Sequence, residues 1–312
     1  MHHKLLVSKY TSIKQLVCSY LLNAPSINTY DVKNLCIKAE NKHLYKDRDK
    51  NNVLYISSVA LRLSKSQNRK VMELASAIAS DLAKNCCDVF SVQIVPPGWI
   101  HFELTDSALA SWLQNLAVGS LEGEAEMGVG EDEGDEGTRG QGDKENNHAQ
   151  SPMPNPPSPI SNSLFTFQYV HSRCCSLVLL AYREGLIKLR EPVPNTSPAF
   201  WDVISPNPLP WLNGDGTLRL NHPDERRLIA ELVEVLDTIE GADVKSSVKW
   251  EKLALSLSQA FENFWSNCRI WGEVKMTSPK LAQARLGLLM ATQSVLRYVL
   301  EENLGIFAPL EL

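Results

Sequence analysis

Between about Gly119 and Ser163 the chain reads GSLEGEAEMGVGEDEGDEGTRGQGDKENNHAQSPMPNPPSPISNS. Glycine and acidic residues fill the first part, proline and serine the second. Such a stretch buries too little apolar surface to offset the entropy of ordering it. It therefore belongs to no core, and a chain of 312 residues that contains it must fold on either side of it. The expected organisation is two domains, 1–117 and 163–312, joined by a flexible acidic and Pro-rich linker over 118–162.

Charge follows the same division. Residues 1–116 hold 14 Lys and Arg against 9 Asp and Glu, residues 117–160 hold 2 against 10, and residues 161–312 hold 15 against 17. The N-terminal part is thus basic and suits a polyanion, while the weakly negative C-terminal part has little sequence-independent attraction for one. The acidic linker needs no role beyond keeping the domains apart. No apolar run approaches the roughly 20 residues that span a bilayer. Lysines interrupt the N-terminal MHHKLLVSKYTSIKQLVCSYLL, whose apolar Leu6, Ile13, Val17 and Leu21 fit an amphipathic first helix better than a signal peptide. A cytoplasmic protein with no membrane partner is expected.

The first domain reads as α+β. In SSVALRLSKSQNRKVMELASAIASDLAKN two helical stretches break near Ser66–Asn68, and Val71, Leu74, Ile78 and Leu82 make a stripe on the second. VFSVQIVPPGWIHFELT then alternates, with Phe90, Val92 and Ile94 before a Pro-Pro-Gly turn and Ile100, Phe102 and Leu104 after it. That pattern predicts two strands of a small antiparallel sheet. DSALASWLQNL closes the domain as a helix, with Asp106 as its expected N-cap. The second domain reads as an all-α bundle. Val170, Cys174, Leu177 and Ala181 share one helix face, and HPDERRLIAELVEVLDTIE starts with Pro223 and repeats Leu228, Leu232, Val235 and Ile239. Two further helical segments complete it, and the Pro- and Trp-rich span 190–215 is a structured insertion.

FQYVHSRCCSL places a histidine, an arginine and two cysteines in one short run. The seven cysteines are odd in number and form no C-x-x-C pair, so buried thiols are the expectation rather than disulfides or redox chemistry. Cys174 lies on the apolar stripe, where a thiol acts as a small hydrophobe. His171 and Cys175 are one turn apart, but no third ligand is near in sequence, and no metal or cofactor is expected.

The motifs in their order resemble those of arginyl-tRNA synthetases. FQYVHSRCCSL is similar to the helix that opens that family's DALR anticodon-binding domain, through Gln168, Tyr169, His171, Arg173 and Ser176. HPDERRLIAELVEVLDTI, LSLSQAFENFWSNCRIWG and AQARLGLLMATQSVLRYVLEENLGIFAPLEL resemble its later helices and terminal segment. YISSVALRLSKSQNRKVMELASAIASDLA and VQIVPPGWIHFELTD resemble the family's N-terminal additional domain. The resemblance implies a DALR-like bundle, a tRNA elbow met by the strand bearing Trp99 and His101, and an anticodon met by the bundle. Candidate contacts there are His171, Arg173, Arg269, Arg297 and Tyr298. An aromatic ring beside a polar donor is what an unstacked base requires, although the same positions also serve core packing or a solvated face. The chain ends in Leu312 where the family usually has methionine.

The family's nucleotide-binding domain has no counterpart in the sequence between these segments, where the acidic linker sits. None of the seven histidines stands in a His-x-Gly-His signature, and KMTSPK at 275–280 only superficially resembles the class I lysine loop. The expectation is a protein that is not an enzyme, with no catalytic residues, and that binds tRNA, arginine tRNA being the one the resemblance names. The alternatives are a protein-interaction module on a DALR-like bundle that has lost RNA, and the tRNA-binding subunit of a split synthetase.

Overall fold

The computed structural model describes residues 11–26, 44–47, 52–119, 159–239 and 247–312. Leu6, Cys36 and most of the expected linker lie outside the described residues. In the N-terminal half, α1 (Ile13–Leu22) is capped by Ser12, whose Oγ accepts from Gln15 N at 3.1 Å. Strands β1 (Leu44–Lys46) and β2 (Leu54–Ser57) precede α2 (Val59–Gln67) and α3 (Val71–Cys86). Strands β3 (Phe90–Val95) and β4 (Trp99–Leu104) form the expected hairpin. The sheet is antiparallel throughout, in the order β1-β2-β4-β3. Ile100, Phe102 and Leu104 of β4 point into a core shared with Leu74, Ile78 and Leu82 of α3. Phe90 and Phe102 meet edge to face at 6.1 Å.

Helix α4 (Asp106–Val118) corrects one expectation: its N-cap is Thr105, whose Oγ1 accepts from Ala108 N at 3.2 Å. Asp106 is the first helical residue and accepts instead from Leu218 N, far along the chain, at 2.9 Å.

The C-terminal half is the expected helical bundle of α5 (Pro159–Arg183), α6 (Pro223–Ile239), α7 (Ser247–Asn267) and α9 (Pro279–Tyr298), with a short α8 (Glu273–Thr277) and a final π-type turn, Val299–Asn303. A two-stranded ribbon pairs β5 (Lys188–Leu189), just before the insertion, with β6 (Val203–Ser205) inside it. Helix α5 ends where Gly185, at φ +70°, lets Leu186 N reach Ala181 O and Gly185 N reach Tyr182 O. That paired bond satisfies two otherwise orphaned carbonyls. At the start of α6, Glu225 Oε2 accepts from His222 N at 2.8 Å and His222 Nδ1 accepts from Asp224 N at 3.2 Å, a reciprocal cap. The other oxygen of Glu225 accepts from Arg285 Nε at 2.6 Å, tying α6 to α9 through a nearly buried ion pair.

The halves pack against each other along a seam. Asp237 of α6 accepts from Tyr55 Oη, from Ser12 Oγ at 2.9 Å and from Lys14 N at 3.0 Å. Burial holds the Asp237 carboxyl above the usual carboxylate range, against the pull of these donors. Elsewhere α4 lies on α9, and Gln114 Oε1 accepts from both Leu209 N at 3.0 Å and Trp211 Nε1 at 2.8 Å. The Trp211 ring in turn closes on Gly287 of α9, where any side chain would collide with it.

Candidate nucleic-acid interface

Two surfaces carry the residues expected to meet RNA. On the first, Trp99 and His101 alternate along β4 with the fully buried Ile100 and Phe102 and so share the outer face of the sheet. Both are half-buried. Register places Val95 beside Trp99, and Gln93 and Ile56 on either side of His101. The result is a shallow platform of one indole, two aliphatic side chains and two polar ones. Its position depends on the Pro96-Pro97-Gly98 turn. Gly98 adopts φ +143°, and a Cβ there would stand 2.2 Å from Val71 Cγ1 at the start of α3. The hairpin end is thereby pressed onto that helix.

The second surface lies on the outer face of α5, opposite the stripe of Val170, Cys174, Leu177 and Ala181. Phe165, Tyr169 and Arg173 follow one another at four-residue intervals, which puts them in line. Phe165 and Tyr169 are exposed by 59% and 47%. Their rings lie 6.3 Å apart and only 20° from parallel. The Arg173 guanidinium lies 5.4 Å from the centre of the Trp265 ring, and Trp265 meets Trp271 edge to face at 5.8 Å. Gln168 Nε2 donates to Phe307 O at 2.9 Å, which brings the exposed Phe307 ring and the chain end alongside. Exposed, loosely stacked rings beside a cation are suited to accept unpaired bases. Only Arg173 of this set was singled out as a contact from the sequence. The legible signal was two aromatic residues four apart on the side of a helix away from its apolar stripe.

The remaining candidates separate. Arg269 is exposed, and its carbonyl accepts from Arg285 Nη1 at 2.6 Å. Arg297 and Tyr298 are half-buried at the end of α9, and Arg297 Nη2 pairs with Glu301 Oε2 at 2.8 Å. His171 is a correction: it is completely buried and presents nothing to a ligand. Its Nδ1 lies 2.9 Å from Pro309 O, and its Nε2 lies 3.1 Å from both Ser197 Oγ and Gln293 Nε2. The carbonyl and the amide fix the tautomer, with the proton on Nδ1 and the lone pair on Nε2. Burial pushes its pKa down to about 4. The imidazole fastens the chain end to α5 and α9.

The cysteines beside it are also interior. Burial raises Cys174 well above the ordinary thiol range and pushes Cys175 up to about 12, so neither supplies a thiolate. Among the described residues, no three His, Cys, Asp or Glu side chains are grouped to hold a metal ion. Among them, too, no helix is long and apolar enough to cross a membrane.

Residues 167–312 match the DALR anticodon binding domain, and residues 30–104 match the arginyl tRNA synthetase N terminal domain. Over these two stretches the chain is similar to the arginyl-tRNA synthetases. It is 32% identical over 151 residues to an arginine–tRNA ligase of Synechococcus sp. (strain JA-3-3Ab), an alignment covering 48% of this chain and 22% of that protein. With the Moorella thermoacetica arginine–tRNA ligase it is 30% identical over 149 residues, covering 47% and 22%. With that of Gloeobacter violaceus it is 30% identical over 139 residues, covering 44% and 20%. The chain thus spans about a fifth of the length of the curated relatives it matches. No solved structure gives a significant match. The Trp99 platform falls in the synthetase-type N-terminal match, and the α5 surface falls in the DALR match apart from Phe165, just before it.

Proposed function

We propose that this synthetase relative is a non-catalytic tRNA-binding protein, with residues 1–117 and 163–312 as its two RNA-facing domains and 118–162 as the segment that joins them. The supporting observation is that each half carries a solvent-facing aromatic and polar surface, Trp99 with His101 on one and Phe165 with Tyr169 and Arg173 on the other. Arg269, Arg297 and Tyr298 are secondary candidates elsewhere on the helical bundle. Arginine tRNA is the first RNA to test, because the relatives are named as arginine–tRNA ligases. The function does not extend to aminoacylation. The sequence holds no His-x-Gly-His signature to cradle ATP phosphates, and a shared fold does not carry an activity with it.

Titration of the full chain with tRNA tests this reading. Trp99→Ala and Tyr169→Ala should each weaken binding by about 1–3 kcal/mol, the usual loss of one stacked base, with circular dichroism unchanged. Arginine-dependent pyrophosphate exchange by protein free of host synthetase would show the reading to be wrong about catalysis. Binding no tighter than that of an unrelated acidic protein of similar size would remove the RNA. A protein partner would then take its place, on the face where Phe165, Tyr169 and Phe307 are exposed.

A further inference from the structure

A cleft of about 680 Å³ opens where the two halves meet. One wall comes from β1 and the approach to β2, the other from α6 and the first half of α7. Among the described residues five cations line it against three carboxylates. Lys46 is occupied: its Nζ donates to Ala230 O at 2.6 Å and lies 3.8 Å from Glu234 Oε2, bracing the seam. Glu231 accepts from Ser256 Oγ at 2.8 Å. The other four cations are Arg226, Arg227, Lys249 and Lys252. Arg226 reaches only the neutral Asn221 Oδ1, at 2.7 Å. None of the four has a carboxylate within ion-pairing distance among the described residues. Four like charges along two antiparallel helices give the cleft walls a positive potential, which draws anions.

We infer that this cleft is a groove for the phosphodiester backbone of RNA, gripped without regard to sequence; the inference rests on the tRNA reading above. Three features favour a polyanion's backbone over bases or a small phosphorylated molecule. Among the described residues no aromatic side chain lines the cleft, so they offer bases nothing to stack on. Arg227, Lys249 and Lys252 are exposed and spread along two helices, rather than converging on one buried point. The cleft also connects by continuous elements to both aromatic surfaces. Leu104 N bonds Val53 O at its rim, and Trp99 stands five residues back along β4, about 17 Å away. Lys252 precedes Trp265 by thirteen residues on α7, about 20 Å along the axis.

The test is binding of a tRNA transcript to the full chain, measured by fluorescence anisotropy from 50 mM to 1 M salt. The variant is Arg227→Gln with Lys252→Gln; the control is Arg183→Gln with Lys188→Gln, an equal loss of charge on an exposed part of the bundle. Each phosphate contact contributes a slope of about −0.7 to −0.9 to log K against log salt. The cleft variant should therefore be shallower by about 1.4–1.8, and weaker by roughly tenfold or more at 100 mM salt, with the difference closing towards 1 M. Trp99→Ala should weaken binding but keep the wild-type slope, because stacking displaces no counterion. If the cleft variant keeps the control's slope while wild type binds, the groove is wrong and the tRNA reading survives. If wild type binds no tRNA, both fall. Saturable binding of inorganic phosphate, lost in the cleft variant while its tRNA slope is unchanged, would assign the cleft to a small anion and overturn the inference.

Discussion

Unfolding exposes His171 to water, where an imidazole takes up a proton near pH 6.5. In the native bundle burial pushes that pKa down to about 4. Between these values the unfolded chain binds the extra proton and the native chain does not, so stability rises with pH across the window. The contribution is fully present above pH 6.5 and is lost as pH falls towards 4. It amounts to about 3 kcal/mol at most. Urea midpoints at pH 7 and pH 4.5 should differ more for wild type than for His171→Gln, which cannot titrate. Equal differences would show that His171 does not govern the acid side. The chemistry of this residue was not legible from FQYVHSRCCSL. Its partners, Ser197, Gln293 and Pro309, are 26, 122 and 138 residues away in sequence. A histidine in a family motif reads as a contact until its burial is known. Cys174, by contrast, was legible, because an apolar stripe predicts burial for whatever small side chain falls on it.

At the scale of elements, the hairpin that carries Trp99 is held by a contact that leaves no room for a methyl group. Gly98→Ala puts a Cβ 2.2 Å from Val71 Cγ1 and forces φ +143° on a residue with a side chain. Strain in that backbone region and overpacking each cost on the order of 1–3 kcal/mol. Thermal denaturation should show a loss of about 2–4 kcal/mol. Val71→Ala should recover part of it, the steric part only. A silent Gly98→Ala would mean that the turn is free to move away from α3. The long helices and this hairpin followed from period-3.6 and period-2 patterns in the sequence. Strands β1 and β2 did not: three and four residues are too few to show a period. Leu54–Ser57 also runs straight into α2, and its last residue falls in the stretch that reads as helical. Pairing with β4 decides it, and that pairing is set by residues about fifty positions away.

The whole molecule is joined twice, once by the chain and once by the seam. Asp237→Ala leaves the Tyr55 and Ser12 hydroxyls and the Lys14 N–H without their acceptor, a loss on the order of 3 kcal/mol. A protease should cut first between Gly119 and Ser163, where the composition supports no core. The two wild-type fragments should then elute together at the size of the intact chain, while those of Asp237→Ala should separate on dilution. Wild-type fragments that separate at once would show that the seam does not hold the halves. Nothing in the sequence announced this joint, since polar side chains that meet across more than 180 positions leave no periodic trace.

The seam also sets a length. Two surfaces on a free tether of about 45 residues would sample separations around a root-mean-square of roughly 35–40 Å, and would accept any RNA that brought two contacts within reach. Surfaces locked together keep one spacing and act as a gauge. On the RNA-binding reading proposed above, an RNA would then be admitted for its own stiffness: a folded molecule whose corner and arm already stand at that spacing would fit without loss. A slack strand of the same sequence must give up conformational freedom to match it. Selectivity of that kind resides in the outline of the RNA, and it needs no base to be read.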